Sequence, residues 1–192
     1  MAHLKFDIAK LERLNDPGRF ESLDPVIMWA ALGNPDPIVI VDLGAGTGLF
    51  AARFAQMAPA STVYAVDTED AMLAWMHENR PEVAEGRIVP VKAEESKVPL
   101  PDDFAGVVTM INLHHELADP DATYAEVYRL MKPGGQILVV DWRPGESPKG
   151  PPQEVRVPAD DLVMFLERAG FVRARSQGGL PWASLVTAER ED

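Results

Sequence analysis

The 192-residue chain contains no cysteine. That absence excludes disulfides, thiolate metal sites and thiol catalysis together. No stretch reaches the roughly 18 uninterrupted apolar residues of a membrane-spanning helix. The N-terminus shows no signal-peptide core either, so the expected location is the cytoplasm. Positive charge is scarce, with 18 Lys and Arg against 30 Asp and Glu and a net charge of −12. A nucleic-acid backbone or an anionic membrane would be repelled by such a surface, so neither is an expected partner. No internal repeat of fixed period is present.

What the chain does contain is ordinary for a globular protein: 46% hydrophobic and 25% charged residues, in a length suited to one domain. A single domain is expected over 1–192, with a helical extension over 1–35 and a core over 37–188. The core opens on Val39-Ile40-Val41-Asp42-Leu43-Gly44-Ala45-Gly46-Thr47-Gly48. Aliphatic β-branched residues suit a strand buried on both faces, and the glycines allow positive φ and close approach of a ligand to backbone. An alanine-rich stretch follows, bearing Phe50, Phe54 and Met57 at helical spacing until Pro59. Strand, tight loop and helix start together form a nucleotide-type site, because the helix directs unpaired N–H groups and its positive end at the loop.

The spacing selects among cofactors. A dinucleotide fingerprint needs Gly-x-Gly-x-x-Gly, but Leu49 stands at the third position and glycine falls one residue early, at Gly48. A phosphate-binding P-loop needs Gly-Lys-Ser/Thr, which Thr47-Gly48-Leu49 does not supply.

From the glycine loop onward, strand and helix alternate. Strands are expected at 62–66, 87–91, 105–110 and 136–140, with helix faces carried by Met72, Trp75, Met76 and Asn79, then by Tyr124, Val127, Tyr128 and Met131. Such βα units imply a parallel sheet with right-handed crossovers and helices on both faces. Upstream, Asp24 and Pro25 read as the N-cap and first residue of a helix over 26–32, stopped by Gly33. The proline-rich stretch 143–158 reads as a loop over the sheet's carboxyl edge. A helix through Leu162, Phe165, Leu166 and Ala169 then leads to two antiparallel strands at 171–175 and 182–188.

Four stations carry a resemblance to a known family: Asp42 to Gly48, Val63-Tyr64-Ala65-Val66-Asp67, Val91-Lys92-Ala93-Glu94-Glu95, and Leu130-Met131-Lys132-Pro133-Gly134-Gly135. In this order and at these distances the chain, over roughly 37–188, resembles the class I S-adenosylmethionine-dependent methyltransferases. Within them it is similar to the compact arsenite and quinone-biosynthesis group. The resemblance implies an α/β fold with a seven-stranded Rossmann-like sheet in the order 3-2-1-4-5-7-6, one strand antiparallel. It implies S-adenosyl-L-methionine as cofactor, held by Asp42, Gly44, Ala45, Gly46, Gly48, Asp67, Thr68, Ala93, Glu94 and Asn112. Asp67 would take the ribose hydroxyls, Asp42 the methionine amino group, and Ala93 and Glu94 the adenine. Arsenite chemistry needs cysteine ligands, which this chain lacks.

Methyl transfer from a sulfonium needs alignment above all, and a base only for a protonated nucleophile. Asn112-Leu113-His114-His115-Glu116 follows strand four, where the family's substrate-side motif falls. His114 and His115 are the candidate bases, packing or orientation being the other reading. No metal is expected: His114, His115 and Glu116 are neighbours in an extended segment whose side chains diverge, and Asp141-Trp142 lacks the Asp-Asn pair of metal-dependent members. Phe20, Trp142, Trp182 and Arg156 are candidates for the acceptor's surroundings, with core or lid packing as the other reading. The expected partner is a small-molecule substrate, with a homodimer left open. Two other functions stay open: a catalytically silent binder of the cofactor or its product, and a nicotinamide-dependent oxidoreductase.

Overall fold

The computed structural model describes residues 8–191. Seven strands form its sheet: β1 (Val39–Leu43), β2 (Thr62–Asp67), β3 (Ile88–Lys92), β4 (Ala105–Ile111), β5 (Met131–Trp142), β6 (Val172–Gln177) and β7 (Ala183–Glu189). Their order is β3-β2-β1-β4-β5-β7-β6. The first five are parallel, and β7 is antiparallel to both β5 and β6. This is the seven-stranded Rossmann-like order that the resemblance implied.

Each strand divides its side chains between two apolar layers because successive residues point to opposite faces. Ile40, Val63, Val107, Leu138, Val140 and Leu185 meet α2 (Pro25–Ala31) and α3 (Leu49–Met57) on one face. Val41, Val66, Val108, Met110, Ile137 and Val139 meet α6 (Pro120–Leu130) and α7 (Ala159–Arg168) on the other. The inner strands therefore read as continuous aliphatic runs. α4 (Asp70–Asn79) anchors through the buried Met72 and Met76; Asn79, expected on that face, is exposed.

The chain leaves β1 toward β2 on one side, while β4 pairs with β1 on the other. Such a reversal opens a crevice at the carboxyl ends of the strands. Register puts Asp42 beside Thr109 across the β1–β4 pair and Asp67 beside Lys92 across β2–β3.

Several boundaries differ from the sequence-based expectation. β5 starts at Met131 rather than 136, because Lys132-Pro133-Gly134-Gly135 is absorbed as a bulge. Met131 pairs with Ala105, the register slips before Val107, and Gly134 and Gly135 exchange backbone bonds with Arg190 at 2.9 Å each. Met131 thus leaves the helix face to which it was assigned. The short helices α1 (Ile8–Leu14) and α5 (Pro81–Ala84), and 3-10 turns at Pro17–Glu21, His114–Glu116 and Gln153–Val155, are too short to show a helical period in sequence. The Asp24 cap forms as expected, accepting from the Val26 N–H at 2.8 Å. The part of the helical extension over residues 1–7 lies outside the described residues. No helix among the described residues is long and apolar enough to cross a membrane.

Candidate functional site

A cavity of about 580 Å³ opens at the carboxyl ends of β1, β2 and β4. Of the expected cofactor residues, Asp42, Gly44, Ala45, Gly46, Asp67, Thr68, Ala93, Glu94 and Asn112 all line it. Gly48 does not. It caps α3 in a left-handed conformation (φ +70°), where a Cβ would come within 2.8 Å of Met76 Sδ. Its glycine is needed for helix–helix packing beneath the cavity.

The loop is fixed from below. The N–H groups of Gly44 and Ala45 both donate to Val66 O, at 2.9 and 3.0 Å. Gly44 lies at φ +71°, and a Cβ there would sit 2.7 Å from Leu113 Cδ1. At Gly46 (φ +56°) the nearest atom to an added Cβ is Leu14 Cδ1 at 3.8 Å, so this glycine opens on the cavity rather than on packed protein.

Asp67 ends β2 and binds the loop: its Oδ2 accepts from the Gly46 N–H at 2.7 Å, and its Oδ1 from the Glu69 N–H at 2.9 Å. Burial raises its pKa above the ordinary carboxylate value, while these N–H groups pull the other way. Asp42 is deeper, 2% exposed, and accepts from Thr109 Oγ1 at 2.6 Å. Burial pushes its pKa up to about 7 against the pull of Thr109, and the charge of Asp67 adds to the rise. Near neutral pH, Asp42 is therefore poised to gain or lose a proton when a charged ligand arrives.

Two buried oxygens on the cavity wall lack a partner among the described residues: Thr47 Oγ1 and Asn112 Oδ1. Asn112 holds a left-handed backbone (φ +55°) and donates its N–H to Val140 O at 2.7 Å. Each belongs to a residue of the cavity wall but is itself buried, and an unpaired buried oxygen costs about 1–3 kcal/mol. The acceptor oxygens suit a ligand with hydroxyls at the Asp67 end and a cation at the Asp42 end.

Neither histidine lines the cavity. His114 is 7% exposed, with Nδ1 3.0 Å from the Tyr124 hydroxyl and its ring packed on Phe165 at 4.9 Å. Burial lowers its pKa, so it is a neutral core group. His115 Nδ1 lies 2.7 Å from Asp141 Oδ1, and the His115 N–H donates to the other oxygen at 3.1 Å. Burial opposes charge on His115, but its bond to Asp141 prevails and its pKa rises. No cluster of three or more potential metal-ligating side chains occurs among the described residues.

The other expected surroundings of an acceptor lie elsewhere. Phe20 packs edge-on against Phe50, centroids 5.5 Å apart. Arg156 donates to Gly145 O at 2.8 Å and Pro151 O at 3.0 Å, over the ring of Trp142, and so organises the proline-rich loop. Trp182 borders a separate open cleft with Glu146, Ser147, Pro148 and Gln153. The 143–158 segment thus sits at the β5–β7 end of the carboxyl edge, away from the cavity.

Sequence reasoning missed Arg19, Leu14, Leu113 and Leu117, which also line the cavity. Nothing in a mixed, charged N-terminal stretch tells that it folds back across the glycine loop. Thr47 was within view, inside the loop itself, and a side-chain hydroxyl between two glycines was the available signal.

Known proteins similar to this chain are methyltransferases. The family model described as "Methyltransferase domain" matches residues 41–139. A solved S-adenosylmethionine-dependent methyltransferase from Aquifex aeolicus superposes with a TM-score of 0.87 at 30% identity, covering 96% of this chain and 99% of that one. The ubiquinone/menaquinone biosynthesis C-methyltransferase of Cupriavidus metallidurans is 27% identical over 163 residues, 73% of this chain. The chain spans 66% of that curated relative's length. Human N-acetylserotonin methyltransferase, solved with S-adenosylmethionine, shares the fold at a TM-score of 0.77 and 19% identity, over 95% of this chain and 56% of that one.

Proposed function

The chain belongs to the class I S-adenosylmethionine-dependent methyltransferase family, and on that premise we propose that it methylates a small-molecule nucleophile. The cofactor of the family is S-adenosylmethionine, which supplies an electrophilic methyl on a sulfonium. The observation that carries the reading is the convergence on one cavity of Asp67, the Gly44–Thr47 loop, Ala93, Glu94, Asp42 and Asn112. Asp67 would accept from the ribose hydroxyls, and the buried Ala93 would flank the base. Asp42 would accept from the ammonium of the methionine end, with Asn112 on the same cavity wall. The protein's contribution is to hold these groups in place and exclude water, since sulfonium displacement depends on alignment.

A small acceptor fits the cavity and the charge: an anionic polymer would be repelled by a chain of net charge −12. The relative named as a C-methyltransferase of ubiquinone and menaquinone biosynthesis makes hydroxylated aromatic rings the first compounds to screen. A cytoplasmic location belongs to the same proposal, and cell fractionation tests it. Calorimetric titration with S-adenosylmethionine, S-adenosylhomocysteine and NADH tests the cofactor. Micromolar binding of the first two with no NADH binding supports the reading. NADH binding alone overturns it and favours an oxidoreductase. Transfer of labelled methyl to a screened acceptor then separates an enzyme from a silent binder.

A further inference from the structure

Most N–H groups of the glycine loop are spent inside the protein. Those of Gly44 and Ala45 donate to Val66 O, that of Gly46 to Asp67, and that of Gly48 to Ala45 O at 2.9 Å. The carbonyls are less well served where the loop becomes a helix. The backbone ladder of α3 begins with the Ala52 N–H on Gly48 O at 2.9 Å, so Thr47 O falls one residue short of it. Thr47 is 1% exposed, and a buried carbonyl without a donor is unfavourable. Its neighbours add to the problem. Gly46 and Gly48 are both left-handed, at φ +56° and +70°, and neither has a Cβ to limit rotation. The peptide between Thr47 and Gly48 needs fixing from outside the loop.

The donor comes from the end of α4. Arg80 follows that helix, its own N–H on Met76 O at 2.9 Å, and its Nε donates to Thr47 O at 2.8 Å across 33 residues of sequence. The guanidinium is itself held in place. Nη2 donates to the side-chain oxygen of Asn15, and the guanidinium carbon lies 5.0 Å from the centre of the Trp75 ring. Nε stands 3.7 Å from the position a Cβ on Gly48 would take, so the bare glycine lets the side chain come close. Burial disfavours the charge on Arg80, and the buried Glu82 supplies the attraction that keeps it. Arg129, Arg168 and Arg190 are spent on exposed carboxylates. Arg80 is spent on a loop carbonyl, which a charged donor fixes more firmly than a neutral one.

We propose that Arg80 is the positioning residue of the cofactor loop, fixing the peptide between Thr47 and Gly48 and with it the cavity wall that the loop forms. The assignment rests on the cofactor reading above. Thr47 lines the cavity and Arg80 does not, so Arg80 acts through the loop rather than on a ligand. Two charged side chains then share the loop between them: Asp67 holds the Gly46 N–H, and Arg80 holds the Thr47 carbonyl. Without the second, the Gly46–Gly48 segment is free to turn about its glycines, and a cofactor must order it on binding.

Two measurements on the full chain test this, the first without any ligand. Arg80→Met keeps an apolar stem against Trp75 and removes every donor. Hydrogen exchange read by mass spectrometry should be faster over residues 43–50 of that variant by at least about threefold. Exchange in β5 and β7 should match the parent, which establishes that the variant is folded. An unchanged rate over 43–50 overturns the proposal whatever the cofactor is. The second measurement is calorimetry with S-adenosylhomocysteine, well below the melting temperature. Arg80→Met is expected to weaken binding by at least about tenfold, the scale of one lost charge-assisted bond. Arg80→Lys, which can still donate to Thr47 O, should recover part of that loss, as a purely space-filling role would not allow. Faster exchange with affinity unchanged also overturns the proposal, leaving Arg80 as a tie between α4 and the loop. Arg80→Gln carries the same two measurements should Arg80→Met fail to fold. If the parent binds no S-adenosylhomocysteine, the cofactor reading itself falls, and the role of Arg80 in binding falls with it.

Discussion

The Gly46 N–H donates to Asp67 Oδ2 at 2.7 Å, joining the glycine loop to the end of the neighbouring strand across 21 residues of sequence. One carboxylate thus shapes the loop and offers its remaining acceptor capacity to a ligand. Asp67→Ala removes both, and is expected to weaken S-adenosylhomocysteine by at least about tenfold. Asp67→Asn keeps one acceptor oxygen for the loop but loses the charge, so its loss should be smaller. Calorimetry on the two variants checks the order, and an unchanged affinity in Asp67→Ala would remove the ribose assignment.

Asp42 supplies a pH dependence. Its folded pKa of about 7 lies above the ordinary carboxylate value of 3.8, so between those values the folded state binds more protons than the unfolded one. Stability from this group is therefore greatest at low pH and falls as pH rises from about 4 to 7. The penalty above pH 7 is at most about 4 kcal/mol at 1.36 kcal/mol per pH unit. Asp42→Asn keeps an acceptor for Thr109 and escapes the penalty. Its melting temperature relative to the parent should rise by several degrees at pH 8, by less than half as much at pH 5, and change little below about pH 4. Cofactor binding should show the opposite cost. The parent's affinity should increase from pH 6 to pH 8 as the carboxylate becomes available to the ammonium, and the variant's should be lower and flatter. A parallel pair of pH profiles would refute this role for Asp42.

The three loop glycines separate binding from packing. Gly46→Val meets nothing nearer than Leu14 Cδ1 at 3.8 Å, but Gly46 is left-handed too (φ +56°), so the variant should lose about 1–2 kcal/mol of stability to backbone strain and have its cofactor binding abolished. Gly48→Ala meets Met76 Sδ at 2.8 Å in a left-handed conformation and should cost about 1–2 kcal/mol of stability. Chemical denaturation beside calorimetry distinguishes the two. Cofactor affinity retained in Gly46→Val, or abolished in a folded Gly48→Ala, would contradict this division.

The order of strands and most of the cofactor wall were legible in sequence because they depend on local signals. Aliphatic runs identify buried parallel strands, and glycine spacing with acids at strand ends marks the crevice. What the sequence did not yield depends on tertiary contact. Arg19 belongs to the site only because the N-terminal turn folds over the loop and Phe50 receives its guanidinium. The Lys132–Gly135 bulge belongs to β5 only because Arg190, 55 residues or more away, pairs with its glycines. Two adjacent histidines looked equivalent in the chain, and the 3-10 turn at His114–Glu116 sends one into the core against Tyr124 and the other onto Asp141. Adjacency said nothing of that divergence.

That divergence gives a prediction with two readouts. His115 has a raised folded pKa, so its bond to Asp141 adds stability in full below the unfolded value of 6.5, and this is lost as pH rises through the folded value. His115→Asn places a neutral N–H near the position of Nδ1 and keeps a hydrogen bond without the charge. It should therefore be destabilised by about 1 kcal/mol or more at pH 5.5 and by little at pH 9. In thermal melts that is about 2–4 °C for a chain of this size. A loss independent of pH would mean that the histidine stays uncharged in the folded protein. S-adenosylhomocysteine affinity should be unchanged, since His115 does not line the cavity. Turnover with an identified acceptor then separates its roles. A general base contributes about 10²–10⁴-fold, so a fall of that size with unchanged binding would make His115 the base. A fall of a few-fold would leave the His115–Asp141 pair as a strut between the ends of β4 and β5. His114→Phe, which fills the same aromatic pocket, should leave turnover nearly intact in either case, because burial keeps His114 neutral with Nδ1 against the Tyr124 hydroxyl.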